Sequence, residues 1–337
     1  MSQSGAQESH LIEAVRAFAT SIAKRKSDNA HLATFIEVTS QQPLTHLDYW
    51  ERLIRAEYTN IVDRPASLML RVRGKSDRHL SIVDLCHWNG HIRERALRTL
   101  SAAAPNAFFF AMAMRRLNDW VPQVRAAARE QLPRIASSSK PEHIVQAIIA
   151  TIRYWGSWSR VTADEKSTQL EIINTDCVMR VLIDHILTMS SGPMTVLLSH
   201  LGRLDTVDKH LIDIATNAVQ PSVRAKAYRS LMEQRFVTVE GRAWEWTDVR
   251  YCQGTMKPVV SERPLSVSAP LLETIKTASR DPSVAVRRVA AEILIREIES
   301  LDSISTTLAK AFAADPSSSV SERGEFALRM LNQAETD

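Results

Sequence analysis

Four segments of this 337-residue chain repeat one pattern: an aliphatic residue, Arg, two variable positions, Ala, three variable positions, Leu. They are Ile92-Arg93…Ala96…Leu100, Val124-Arg125…Ala128…Leu132, Val223-Arg224…Ala227…Leu231 and Val286-Arg287…Ala290…Leu294. A fifth, Val320…Gly324…Leu328, keeps the frame with Ser321 where Arg is expected. Residues four apart share a helix face. The pattern therefore predicts an apolar stripe with a small residue at its middle, where a neighbouring helix can come close.

The spacing repeats as well. Ala96 and Ala128 stand 32 residues apart, and Ala290 and Gly324 stand 34 apart. Ala128 to Ala227 is 99 residues, or three such units with two divergent ones between, and Ala227 to Ala290 is 63, one unit plus an insertion. Each patterned segment follows a turn signal and another apolar helical run, as 105–119 leads into Trp120-Val121-Pro122. Asp281-Pro282 and Asp315-Pro316 read as helix starts, with Asp capping free N–H groups and Pro in the first turn. A period of this size is what stacked helix pairs produce. Further helices are predicted at 8–26, 29–39, 43–60, 141–154, 162–173, 176–189 and 193–204. The scarcity of Gly, nine in all, fits helices better than a sheet of hairpins.

These units resemble HEAT repeats, including the lyase-type repeats of bacterial proteins. The resemblance covers 77–135 and 206–334, and 140–205 by register only. It implies an all-α fold, a right-handed α-solenoid of HEAT-like helical hairpins. It also implies a ladder between neighbouring repeats, in which Arg93, Arg125, Arg224 and Arg287 pair with acidic residues such as Asp119, Asp281 and Asp315. The expected organisation is an N-terminal helical cap at 1–76, repeats at 77–235, an inserted β-hairpin at 236–267, and further repeats with a cap at 268–337. Ser321 and Gly324 depart from the pattern, as a frayed terminal cap would. Arg71-Val72-Arg73-Gly74-Lys75 reads as a solvated connector.

The helical period fails between Phe236 and Pro264. Val237, Val239, Trp244 and Trp246 alternate with period two, which predicts a strand pair. Gly241-Arg242 falls where a two-residue turn would sit, Gln253-Gly254 suggests a second turn, and Lys257-Pro258 should limit pairing beyond it. Insertions in repeat arrays lie on loop edges and often bind partners. This one is rich in residue types that interfaces favour: Trp244, Trp246, Tyr251, Arg242, Arg250 and Arg263. The competing reading has both indoles covering adjacent helices, since an isolated hairpin is marginal.

A second aromatic and basic cluster runs from Arg153 to Arg160 and includes Trp155 and Trp158. Such a cluster can stack bases and hold phosphates, or plug the groove between repeats. Together with Asp164 it supplies the residue types of HEAT-like DNA glycosylases, a comparison of architecture alone. Two residues beyond each repeat Ala stand Arg98, Glu130, Arg229 and Glu292, and this alternation of sign counts against a groove that neutralises a duplex. Cys86, His87, His91 and His79 look like metal ligands, but Trp88-Asn89-Gly90 breaks the helix that would align His87 with His91. No Gly-rich phosphate loop, GxSxG or HExxH occurs.

The net charge is +4, with 32 Arg among the 42 basic residues, too little for this length to demand a polyanionic partner. Three scattered cysteines suggest no disulfide framework, and neither a signal-peptide start nor about 18 consecutive apolar residues is present. The expectation is a cytoplasmic, non-enzymatic, bacterial-type adaptor or scaffold with no cofactor, no metal and no membrane contact. It would bind another protein through Trp244, Trp246, Arg250 and Tyr251, then Trp155, Trp158 and Arg160. Nucleic-acid binding, with or without glycosylase-like chemistry, is the second reading, and self-assembly into a homo-oligomer the third.

Overall fold

The computed structural model describes residues 3–24, 29–62, 82–100 and 102–334. The basic connector at 71–75 and His79 lie outside the described residues. Sixteen helices are seen in chain order among the described residues: α1 Gln3–Ala23, α2 Asn29–Ser40, α3 Leu47–Val62, α4 Gly90–Thr99, α5 Ala107–Arg115, α6 Pro122–Ser138, α7 Pro141–Trp155, α8 Ala163–Ile173, α9 Asp176–Thr188, α10 Met194–Leu201, α11 Leu211–Asn217, α12 Pro221–Glu233, α13 Leu271–Ser279, α14 Val284–Arg296, α15 Asp302–Ala313 and α16 Ser318–Ala334. A two-stranded antiparallel sheet, β1 Arg235–Asp248 and β2 Gln253–Pro264, stands between α12 and α13. The chain divides into two compact units, residues 1–181 and 182–337. No helix among the described residues is long and apolar enough to cross a membrane.

In the first unit α1 packs on α2 and α3 through stacked rings, with Phe18 5.9 Å from Phe35 and 6.4 Å from Tyr58. Phe35 meets Phe109 edge-on at 5.6 Å, which ties this group to α5. All of α5 from Ala107 to Met114 is buried, as its unbroken apolar run requires. The patterned helices pack in succession, α4 on α6 and α6 on α8, while α5 packs on α7. The second unit repeats the arrangement, with α11 on α12, α13 on α14 and α15 on α16 as pairs, and α12, α14 and α16 in succession. The repeat alanines Ala96, Ala128, Ala227 and Ala290 are wholly buried.

The arginines of the pattern form one recurring device. Arg93 Nε and Nη2 donate to Asp119 at 2.8 and 2.7 Å, Arg224 to Asp281 at 2.8 and 2.8 Å, and Arg287 to Asp315 at 2.6 and 3.1 Å. Nη1 of each donates to carbonyls five and six residues before it: Trp88 and His87, Val219 and Ala218, Pro282 and Asp281. Each aspartate accepts in turn from the N–H two residues on, at Val121, Ser283 and Ser317. One Arg thus fixes the entry to its own helix and the turn of the next pair. Arg125 keeps the bond to its own turn, at Asp119 O, and stands 4.0 Å from Glu165.

The structure corrects three expectations. Asp281 and Asp315 are not the helix caps: α14 starts at Val284 behind Ser283, and α16 at Ser318, because the carboxylates are occupied by the turn N–H and the arginine. Gly324 is not frayed. It is buried mid-helix, where a Cβ would collide with the backbone of Phe312 and Ala313, so α16 meets α15 closer than Ala allows. The strands do not turn at Gly241-Arg242 or stop at Pro258. They form one hairpin that turns at 249–252, with Arg242 opposite Pro258 and pairing to Pro264. Both strands of a two-stranded sheet are edges, so Pro258 can leave its missing N–H on the solvent side.

Candidate functional site

The hairpin has a fixed base. Phe236 is wholly buried against Gly202, where a Cβ would fall inside its ring. Arg263 donates through Nη1 and Nη2 to the fully buried Asp208 at 2.9 and 2.6 Å, and through Nε and Nη2 to the carbonyls of Gly202 and Leu204 at 2.6 Å each. Asp208 also accepts from Ser266 N–H and Oγ–H. Burial alone would raise the Asp208 pKa, but Arg263 and Ser266 outweigh it and hold the carboxyl below its usual range. Arg263, which the sequence placed among interface residues, is therefore a clamp for the hairpin. Lys226 adds a bond from Nζ to Val237 O at 3.2 Å.

Beyond this base the hairpin is exposed on both sides. Residues paired across an antiparallel ladder share a face. Val239 pairs with Val260, Arg242 with Pro258, Trp244 with Met256 and Trp246 with Gly254, and a bulge separates Val239 from Gly241. The bulge supplies the extra residue that brings odd-numbered Val239 and even-numbered Trp244 and Trp246 onto one side. That side carries Val239, Val260, Pro258, Met256 and the two indoles, with Arg242 beside Pro258 among them. Trp244 and Trp246 are 48% and 53% exposed and meet edge-on at 5.6 Å. The other side carries Ala243, Glu245, Thr255 and Lys257, with Lys257 paired to Glu245 at 2.8 Å. At the turn Asp248 Oδ1 accepts from Arg250 N–H at 2.9 Å, Cys252 takes a left-handed φ of 51°, and Tyr251 is 75% exposed.

A second feature lies in the first unit, a cleft of about 840 Å³. Its floor is an ionic network. Glu51 on α3 accepts from Arg55 at 2.6 Å and Arg116 at 2.7 Å and lies 3.3 Å from Arg115 Nε. Asp119 takes Arg93 and also Arg116 at 3.1 Å, and Arg115 pairs with Asp48. Burial opposes ionisation of Glu51, yet Arg116, Arg115 and Arg55 together hold its pKa below the ordinary value. Beside it burial, reinforced by Glu51, pushes the Cys86 thiol up to about 12. The walls are indoles: Trp88 and Trp120, 60% and 67% exposed, and Trp158. Arg52 and Arg160, both exposed, also line the cleft.

The structure separates residues that the sequence grouped. Trp155 is 7% exposed and donates Nε1–H to Thr151 Oγ1 at 3.1 Å, so it belongs to the core of α7 and not to a surface. Trp158 and Arg160 reach the cleft, and Arg160 N–H donates to Asn118 Oδ1 at 3.1 Å. Asp164 is exposed beside Arg129 at 3.9 Å and does not line the cleft with Trp158. Cys86 and His87 are buried, His87 Nδ1 accepting from Asn89 N–H at 2.9 Å. Arg98 pairs with Glu130, and Arg229 with Glu292 at 2.6 Å, so the alternating row is a set of ion pairs between adjacent helices. Trp88 and Trp120 were not singled out from the sequence. Both stand five residues before a patterned arginine, and that shared position is the signal that could have found them.

No family model matches the chain, and no curated protein or solved structure is similar to it.

Proposed function

We propose that this chain is a HEAT-type α-solenoid that acts as a non-enzymatic adaptor or scaffold, docking another protein through the inserted hairpin. The observation that carries the reading is the contrast within the hairpin itself. Its base is held by a buried ring and a buried ion pair, while its outer half exposes a row of apolar side chains with two indoles at the end nearest the turn. Exposed apolar surface costs solubility and is kept where something covers it. Trp is the residue type most often at the energetic centre of an interface. The ladder supports the repeat reading, because Arg224 reaches Asp281 across 57 residues with the same bonds that Arg93 and Arg287 make across 26 and 28. The hairpin is thus looped out of an otherwise regular succession of helix pairs.

The test compares the wild-type chain with Trp244→Ala/Trp246→Ala. Proteins captured by the first and lost by the second are purified and titrated directly. The expected result is an unchanged melting curve and a loss of binding of at least about 100-fold, or ~2.7 kcal/mol, as two indoles buried by a partner would supply. If light scattering shows wild-type dimers that the variant lacks, the occupant is a second copy. Collapse of thermal stability in the variant would make the indoles part of the fold and end the adaptor reading.

A further inference from the structure

The cleft in the first unit is independent of the hairpin and has its own chemistry. Six guanidiniums face three carboxylates there. The carboxylates are consumed by the floor: Glu51 and Asp119 are buried in bonds to Arg55, Arg116 and Arg93, and Asp48 takes Arg115. The uncompensated charge is left on exposed side chains, since no carboxylate among the described residues pairs with Arg52 or Arg160. Arg52 makes one bond, from Nε to the Asp48 carbonyl at 3.3 Å, and Arg160 is held through its backbone N–H, so both forks stay available to an anion.

The walls require a different complement. Trp88 and Trp120 come from successive inter-helix turns at equivalent repeat positions, whereas the second unit has Val219 and Pro282 at that position. Neither indole plugs a groove, since both are more than half exposed. The Arg93 guanidinium lies 5.8 Å from the Trp120 ring centre and steadies it from the floor. Exposed indoles lining a cleft with cations favour a ligand that is planar and aromatic at one end and anionic at the other. An acidic peptide would use the arginines and leave the ring faces uncovered. A duplex would need phosphate contacts along the helices, where Arg98 and Arg129 are already matched by Glu130 and Glu165. The volume suits one small ligand.

We propose that this cleft binds a nucleotide unit, with the base stacked on Trp120 and neighbouring indoles and the phosphate held by Arg52 and Arg160. The unit is either a free nucleotide or one residue of a single strand. The test follows intrinsic tryptophan fluorescence of the full chain on titration with adenosine 5′-monophosphate, adenosine, inorganic phosphate, a short oligoadenylate and hexaglutamate. Saturable quenching by the monophosphate below about 1 mM is expected, with adenosine and phosphate alone weaker by about tenfold or more, the factor one good stack or one charge-assisted contact supplies. Trp120→Ala and the double variant Arg52→Gln/Arg160→Gln should each lose about tenfold, and Trp244→Ala/Trp246→Ala nothing. All three carry changes on exposed side chains, and circular dichroism checks their folding. A salt-sensitive preference for the oligoadenylate assigns the site to a single strand, and equal affinity assigns it to a free nucleotide. Absence of saturable quenching, or hexaglutamate or phosphate binding as well as the monophosphate, overturns the proposal.

Discussion

Arg93→Met asks how much one rung of the ladder holds. Arg93 and Asp119 have side chains only 2% and 1% exposed and share two bonds below 3 Å, and Arg93 also satisfies two carbonyls. Breaking a buried pair by removing one partner costs about 3–5 kcal/mol, because the remaining charge stays desolvated. Asp119 would keep Arg116 and the Val121 N–H, so the lower end, about 3 kcal/mol, is expected. Met fills the aliphatic volume and isolates the polar loss from a cavity. Arg287→Met should cost less, about 1–3 kcal/mol, since Arg287 and Asp315 are 14% and 8% exposed and water relieves part of the penalty. Hydrogen exchange in α4 and α6 gives the local opening free energy whatever the rest of the chain does. A cycle with Asp119→Asn should return a coupling of about 2 kcal/mol, and a value under about 0.5 kcal/mol would refute the reasoning by reducing the rung to an exposed pair.

Gly324→Ala should destabilise α15 and α16 by about 1–3 kcal/mol in thermal denaturation, because the new methyl meets backbone and not a flexible side chain. Arg263→Met should raise hydrogen exchange across Phe236–Val239 and α10 while sparing α14, since the clamp to Asp208 anchors only the hairpin base. Excising Arg242–Pro258, which face each other across the ladder, and closing the strands with Asn-Gly should leave the melting curve nearly unchanged and abolish partner capture. Acid should unfold the ladder. The Arg287 bond, opposed by burial and aided by the Ser317 N–H, lowers the Asp315 pKa, and the floor arginines lower that of Glu51. Carboxyls depressed on folding contribute stability above the unfolded carboxylate range and lose it as pH falls through their folded values. Urea midpoints should therefore drop below about pH 4, with a shallower drop in Arg287→Met.

What could be read from the sequence follows from the range of each interaction. The Val-Arg helices were legible because side chains four apart on one helix are neighbours by geometry, whereas the ladder was expected only from the resemblance to HEAT repeats. Trp244 and Trp246 were legible as strand residues, but the turn was misplaced at Gly241. A bulge shifts the alternation by one residue, and the sequence shows such a shift in the same way as a turn. Of the cleft only Trp158 and Arg160 were singled out from the sequence as binding residues, since its walls come from three separate turns and its floor joins α3 to residues about 65 positions later. Trp88 or Trp120 alone is an ordinary turn aromatic. Only the ladder makes them a pair: Arg93 bonds the carbonyl of Trp88 and the carboxylate beside Trp120, so the device that aligns successive helix pairs also sets two indoles on one edge. Variation at the position five before each arginine then costs the fold little, because the rung grips only the backbone there. Trp, Val and Pro occupy it at Trp88, Val219 and Pro282 with the same bonds, which leaves that position free to vary while the bonds around it stay constant.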